Sequence, residues 1–499
     1  MLFKMIRLAM AALCVFCVFP VFARTFYVGP TGNDNTNTGA KDQPWLSLLK
    51  AANTVTAGDT VYIREGTYKE QLIPKKSGTA DAPILFSAYP GEAVTIDGQG
   101  LNGQGVVYVS GVKYIKIAGL KVQNGGEAGI WVINCSYITL YGNHTYNTVS
   151  SGIIVSEIGT DDHIYIDSNK VELACNDGAQ ECISIAKCNT FEVTRNEVFN
   201  GGPGTNGGEG IDCKFGSTSG KVAYNYLHDL SRQGLYVDAW TQTTTNMEYF
   251  GNIVHDCQFG LGAASEQGGE LGNVNFHDNL VYNCQGPGMY ILMSAGPMHD
   301  LNFINNTIHH TGTSWGQGMW LNGPKATNVI VRNNIFSGIS GAAFLVDSAP
   351  AGWTVDHNLA GEAQSGQPSW FTVGTPQYVN SAGGDFHLKS GSIGIDAGSA
   401  DTKYATTLGD LEGKNRVVDG DCNGAAQIDL GAYEFQSSCS PIANDRSWKM
   451  RTRADVPACG ARLFDAQGRT IVTAAGARNI MRLGKTRVGL TVSGTVQSH

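Results

Sequence analysis

The stretch "MEYFGNIVHD" (247–256) is followed by "VNFHDNLVYN" (274–283) and then by "LNFINNTIHH" (301–310). Each is a short β-rich run, an asparagine, then apolar residues. The unit continues outward in both directions. Before it stand "YITLYGNHTYN" (137–147), "IYIDSNKVELA" (164–174), "FEVTRNEVFN" (191–200) and "KVAYNYLHD" (221–229); after it stands "VIVRNNIFSG" (329–338). The asparagines are Asn143, Asn169, Asn196, Asn225, Asn252, Asn279, Asn306 and Asn334, spaced by 26, 27, 29, 27, 27, 27 and 28 residues. Self-similarity on one such period marks a solenoid. The unit is too short for a four-stranded blade and has no helical periodicity. The fold class is therefore all-β: a right-handed parallel β-helix with rungs of about 27 residues. Stacked rungs put equivalent residues in ladders about 4.8 Å apart. The Asn column is then expected to hydrogen-bond amide to amide at a turn, not to catalyse. Cys257 and Cys284 each lie five places after their Asn. They are expected to be neighbours, as a buried thiol ladder or a disulfide.

Composition agrees. Glycine is 64 of 499 residues and proline only 15, which suits a turn-rich β chain. "MLFKMIRLAMAALCVFCVFPVFA" has a positive start at Lys4 and Arg7, an apolar run and a small-residue end, so residues 1–23 read as a secretory signal peptide. The β-helix is expected over 24–436, and 437–499 as a linker and basic tail. The expected location is secreted, cell-surface or periplasmic, without a transmembrane segment in the mature chain. Losing Lys4 and Arg7 takes the net charge from −9 to −11, and the +7 tail from Asp445 to His499 leaves −18 on the body. Such a body excludes nucleic acid as a partner. Export permits disulfides, whose pairing spacing does not reveal. With no CxxC in the mature chain, no zinc site is expected.

Each rung has a second strand, usually opening on glycine: "GIIVSE" (152), "GIDCKFG" (210), "GLYVDAW" (234), "GLGAASE" (260), "GMYILMS" (288) and "GMWLNG" (318). Side chains alternate between faces. One and three places after the glycine all are apolar and face inward, so the second, fourth and sixth face out. That outward face gathers Asp212, Lys214, Tyr236, Asp238, Trp240, Glu266, Tyr290, Trp320 and Asn322, with Glu209 at the rim. Lys214 and Asp238 are expected side by side, with Glu266 one rung further and about 8 Å from Asp238. Asp238, Glu266, Lys214 and Asp212 are the candidate catalytic groups. Glu209, Tyr236, Trp240, Tyr290, Trp320 and Asn322 are the candidate substrate contacts, the aromatics as flat faces for sugar rings. Gly262 and Ala264 are read as leaving room for a ligand. No metal site is assigned. "DGDCNGAAQID" (419–429) and the His-Asp pairs at 228 and 255 read as turn chemistry.

Residues from Phe26, through "PWLSLLKAANTV" as a small capping helix and "AGDTVYIREGTYKE" as a first rung, resemble the opening of secreted right-handed β-helix carbohydrate-active enzymes. "SIGIDAGS" and "GDLEGKNRVVDGDCNGAAQIDLGAYEF" are similar to their closing segment, so the resemblance spans about 410 residues. "ARLFDAQGRTIV" faintly resembles a bacterial sorting or anchoring domain. Within this pectate-lyase-like superfamily two chemistries compete. "GLYVDAW" with an outward Glu one rung later resembles the β-helix β-xylosidases, which implies Asp238 as nucleophile and Glu266 as acid/base, with no cofactor. The rival resemblance is to pectate lyases, which implies Lys214 as base and Ca2+ as helper. Their Asp-Asp-Gly-aromatic-Asp run is absent, the matching place reading "SRQGLY". The expectation is a monomeric enzyme acting on a polysaccharide or oligosaccharide, the glycoside hydrolase favoured over the lyase. A non-catalytic sugar-binding β-helix is the third reading.

Overall fold

The computed structural model describes residues 23–437 except 156–157, 204–206, 315, 362–369 and 402–408, together with four short strands between 462 and 487. Nearly all of segment 1–23, expected to be a signal peptide, and the tail beyond 437 apart from those strands lie outside the described residues.

The chain is a right-handed parallel β-solenoid of about 11 turns. Among the described residues, thirteen strands from Thr25–Val28 to Thr354–Asp356 stack into one parallel sheet. The other faces form a second stack, which holds both the strands after each Asn and the glycine-opened strands. The interior is a continuous column of Ile, Val, Leu, Phe and Met: Ile164, Phe191, Met247, Val274, Leu301 and Val329 stand in one register, sealed from solvent, with Gly220 taking the rung between Phe191 and Met247.

The Asn ladder forms as the period requires. Each Asn Oδ1 accepts the backbone N–H of the preceding ladder Asn at 2.9–3.0 Å. The column gains a ninth member, Asn358, which accepts from Asn334 at 3.0 Å. The residue before each Asn holds a left-handed φ of 49–64°: Gly142, Ser168, Arg195, Tyr224, Gly251, Asp278, Asn305, Asn333 and His357. That conformation costs a non-glycine residue roughly 1–2 kcal/mol. It turns the chain so that the amide points inward onto its neighbours, and the ladder bonds offset the cost.

The expected cap helix is Leu48–Thr54, whose Ser47 side chain accepts the Lys50 N–H. Its Leu48, Ala51 and Ala52 cover the open end of the core. The closing segment docks through a buried ion cluster. Arg416 pairs with Asp278 and stands 3.7 Å from Glu434, all three sealed from water. Cys257 and Cys284 are buried free thiols that donate to the carbonyls of His255 and Tyr282, so the ladder form is the one observed. The His-Asp pairs are ladder chemistry too: His228 and His255 each bond the following Asp and stack on each other at 5.2 Å.

Candidate active site

Strand pairing places the outward residues in the expected columns. Ser184, Asp212, Tyr236, Gly262, Tyr290 and Trp320 stand in one register, and Ala186, Lys214, Asp238, Ala264 and Leu292 in the next. The upstream rung, Ile183–Ala186, has Cys182 where the others have glycine, and sequence reasoning missed it. It carries the site's main ion pair. Lys214 Nζ donates to Glu181 Oε1 at 2.6 Å and to Gln180 Oε1 at 3.5 Å. The expected partner, Asp238, is the lateral neighbour of Lys214 along the backbone.

Four carboxylates crowd here. Glu181, Glu209, Asp212 and Asp238 are each at most 7% exposed. Burial first, then the charge of Glu181, pushes Glu209 up to about 7, with Arg232 opposing. The same two causes hold Asp212 well above the usual carboxylate range, with Lys214 opposing. Burial raises Asp238 to about 6 against the N–H groups of Trp240 and Glu266. Asp212 Oδ1, Glu181 Oε2 and Ser184 Oγ are buried with no hydrogen-bond partner. Buried oxygens left unsatisfied cost about 1–3 kcal/mol each, so the cluster is built for something that supplies positive charge or donors.

Arg232 is a further residue the sequence reading missed. Its strand, Tyr226–Asp238, carries an irregularity between Leu230 and Gln233 against the next rung. One extra residue there re-aims the chain, as bulges beside active sites do. Arg232 Nε and Nη2 reach Glu209 Oε1 at 3.1 and 3.0 Å, while the side chain stays 39% exposed.

Asp238 meets Glu266 through the backbone. Asp238 Oδ1 accepts the backbone N–H of Trp240 at 2.9 Å and of Glu266 at 3.1 Å. It caps two strand ends while nearly sealed from solvent. The Tyr236 hydroxyl donates to Glu266 Oε1. Two expectations are corrected. Tyr236 and Tyr290 are only 5% and 4% exposed, so they do not offer open faces to sugars. Gly262 does not leave room for a ligand, because the Tyr290 ring lies where its Cβ would be, and Ala264 is sealed. Trp240, 41% exposed on a left-handed φ, remains an open platform. Trp320, half-buried, donates to Asp347 at 2.8 Å. It and Asn322 sit four rungs from Asp212, about 19 Å at the usual strand spacing, so they are not part of the carboxylate cluster. Asp396, Asp419 and Asp421 bring oxygens within 4.8 Å of one another in the closing segment. Backbone N–H groups of Asn423 and Gly424 already occupy Asp419.

The chain belongs to the right-handed parallel β-helix proteins of the pectate-lyase-like superfamily. Residues 26–225 match the family model described as Pel9A-like, right handed beta helix region, and 251–360 the one described as Right handed beta helix region. Over 401 residues the chain is 30% identical to the uncharacterized protein YwoF of Bacillus subtilis (strain 168), covering 71% of this chain and 78% of that one. Over 164 residues it is 32% identical to pectate lyase PEL9 of Emericella nidulans, covering 30% of this chain and 40% of that one. The crystal structure of pectate lyase Pel9A superposes with a TM-score of 0.50 at 16% identity, covering 83% of this chain and 96% of that one.

Proposed function

We propose that this chain is an exported, monomeric polysaccharide lyase acting on a uronate-containing polymer, with Lys214 as the base. The observation that carries the proposal is the set of buried, partnerless oxygens on Glu181 and Asp212 around the Lys214 ammonium. Its support from relatives is the likeness to pectate lyase PEL9 and to the Pel9A-like family over 26–225, a span that contains Glu181 to Lys214.

Elimination removes the proton beside the uronate carboxylate and expels the glycosidic oxygen. Lys214 Nζ is the group to take that proton, since the carboxylates around it are mostly shielded. An amine is a base only when neutral. Glu181 Oε1 is the carboxylate oxygen that Lys214 Nζ contacts at 2.6 Å, so drawing Glu181 away is what turns Nζ toward the substrate. Arg232, tethered at the rim by Glu209, suits a substrate carboxylate through its guanidinium fork. Trp240 offers the adjoining sugar an apolar face. The −18 body would repel a bare polyuronate; Lys214 and Arg232 answer that locally.

Glu181, Glu209 and Asp212 are of the donor type calcium takes, although among the described residues only Asp396, Asp419 and Asp421 bring three ligand oxygens within 4.8 Å of one another. Glu181, Glu209 and Asp212 present only hard oxygen atoms, two of them lacking any partner. A bound calcium would neutralise the substrate carboxylate and so acidify the neighbouring proton.

A second reading keeps the hydrolase. It rests on the contact of the Glu266 backbone N–H with Asp238, whose carboxyl stands at about 6. Against it, Asp238 spends Oδ1 on two backbone N–H groups and is nearly sealed. The test is a polysaccharide panel assayed in parallel for reducing ends and for ultraviolet-absorbing unsaturated uronate, with Lys214→Ala. The lyase reading expects unsaturated product and a loss of about 100- to 10,000-fold in the variant. Saturated reducing ends that survive Lys214→Ala and vanish in Asp238→Asn would establish the hydrolase instead.

A further inference from the structure

Cys175 and Cys182 face each other beneath the site. The backbone N–H of Cys175 donates to Ser150 O at 2.9 Å, while Cys182 O accepts from Gly152 at 3.0 Å. The two cysteines therefore stand over positions two residues apart in the same neighbouring rung. Two residues of extended chain span at most roughly 7 Å, so the pair falls near the Cα span that a disulfide bridges. Both side chains are sealed from solvent, and their thiols hydrogen-bond each other. On the other side, Gly201 supplies the room: a Cβ there would overlap the Cys182 sulfur. Neither is disulfide-bonded in this structure, whereas Cys422 is, so the chain carries disulfide chemistry elsewhere.

We propose that Cys175–Cys182 is a disulfide site of the exported protein. The two thiols lose two protons and two electrons to an oxidised protein disulfide, which becomes a dithiol; one S–S bond forms here as one breaks in the oxidant. The bridge closes the ring Cys175–Cys182, whose last enclosed residues are Gln180 and Glu181, the two that hold Lys214. It ties the end of an irregular loop to the solenoid wall where the site needs a defined carboxylate. The inference stands on backbone register and packing, and does not depend on which reaction the site performs.

Trypsin cutting after Lys170 and Lys187 leaves both cysteines in one peptide, VELACNDGAQECISIAK. The full chain, produced into an oxidising bacterial periplasm and in parallel in a reducing cytosol, is denatured without reductant, alkylated and digested. The periplasmic peptide is expected to be unlabelled and about two hydrogen masses lighter than the reduced peptide. Cleavage before Asp177 should leave its two halves joined until reductant is added. The cytosolic peptide should carry two labels. Two labels on the periplasmic peptide would overturn the proposal, as would either cysteine bridged to a different partner.

Discussion

Replacing Asn252 by alanine tests the ladder on which the solenoid rests. Asn252 Oδ1 accepts the Asn225 backbone N–H and side-chain Nδ2, each at 3.0 Å. Its Nδ2 donates to Val222 O at 3.0 Å and to Asn279 Oδ1 at 2.9 Å. Some of these losses are covered: Asn225 Nδ2 still reaches Val193 O, and Asn279 Oδ1 still accepts the backbone N–H of residue 252. The Asn225 backbone N–H loses its acceptor and Val222 O loses a donor, at a residue with no exposed surface. Two buried groups stripped of a partner at about 1–3 kcal/mol each give a loss of about 2–6 kcal/mol. That is a large share of the whole stability of a typical domain. Asn252→Asp should cost more near neutral pH, because it turns an acceptor toward Val222 O and Asn279 Oδ1, and part of that excess should vanish in acid. The control is Asn273→Ala, which removes an exposed 2.8 Å amide pair to Asn246; with the added cost of alanine at the left-handed φ of 50°, its loss should stay within about 1 kcal/mol. Equilibrium urea unfolding followed by circular dichroism reads both variants. An Asn252→Ala loss below about 1 kcal/mol, or an Asn273→Ala loss as large as the Asn252→Ala loss, would refute the reasoning that amide pairing, not shape, holds the turn.

Arg416→Met leaves Asp278 buried without its guanidinium, while Glu434, which burial holds at about 10, stays protonated; the loss should cost about 3–5 kcal/mol, and the expected signature is early proteolytic release of the closing segment with the solenoid intact. Glu209 is raised to about 7, so the folded chain holds a proton that an unfolded carboxylate, near pH 4, has released. Its stabilising contribution is therefore complete in acid and lost as pH rises from about 4 through about 7. Melting curves of the wild type and Glu209→Gln should accordingly diverge in favour of the variant above pH 7; parallel curves would contradict the shift. By the same sign, calcium should raise the melting temperature of the wild type at pH 8 far more than at pH 5, where the carboxylates are protonated. Gly262→Ala drives a Cβ into the Tyr290 ring, and the displaced ring should cut turnover about tenfold or more, since small misplacements near a site are costly.

Much of the fold is legible in the sequence because one asparagine per rung is a local signal repeated many times. The site is legible only where a rung opens on glycine. Counting from Gly210 and Gly234 finds Asp212, Lys214 and Asp238. The same count passes over Glu181 and Ser184, because Cys182 stands in the glycine's place, and over Arg232, because an extra residue displaces it from the alternation. Direction off the sheet is harder still. Alternation says that Tyr290 leaves the core, yet it does not say that the ring folds down over Gly262 and is buried there. Contacts between distant segments carry no periodic signal at all, and Arg416 meets Asp278 across 138 residues.

The most direct test of the proposed chemistry is a time course on a polyuronate with added calcium, following unsaturated product and reducing ends together. The lyase account predicts that the two rise in step, that a chelator stops both, and that Lys214→Ala and Asp212→Asn lose both while remaining folded. Reducing ends that accumulate without unsaturated product, indifferent to chelator and to Lys214→Ala, would contradict it.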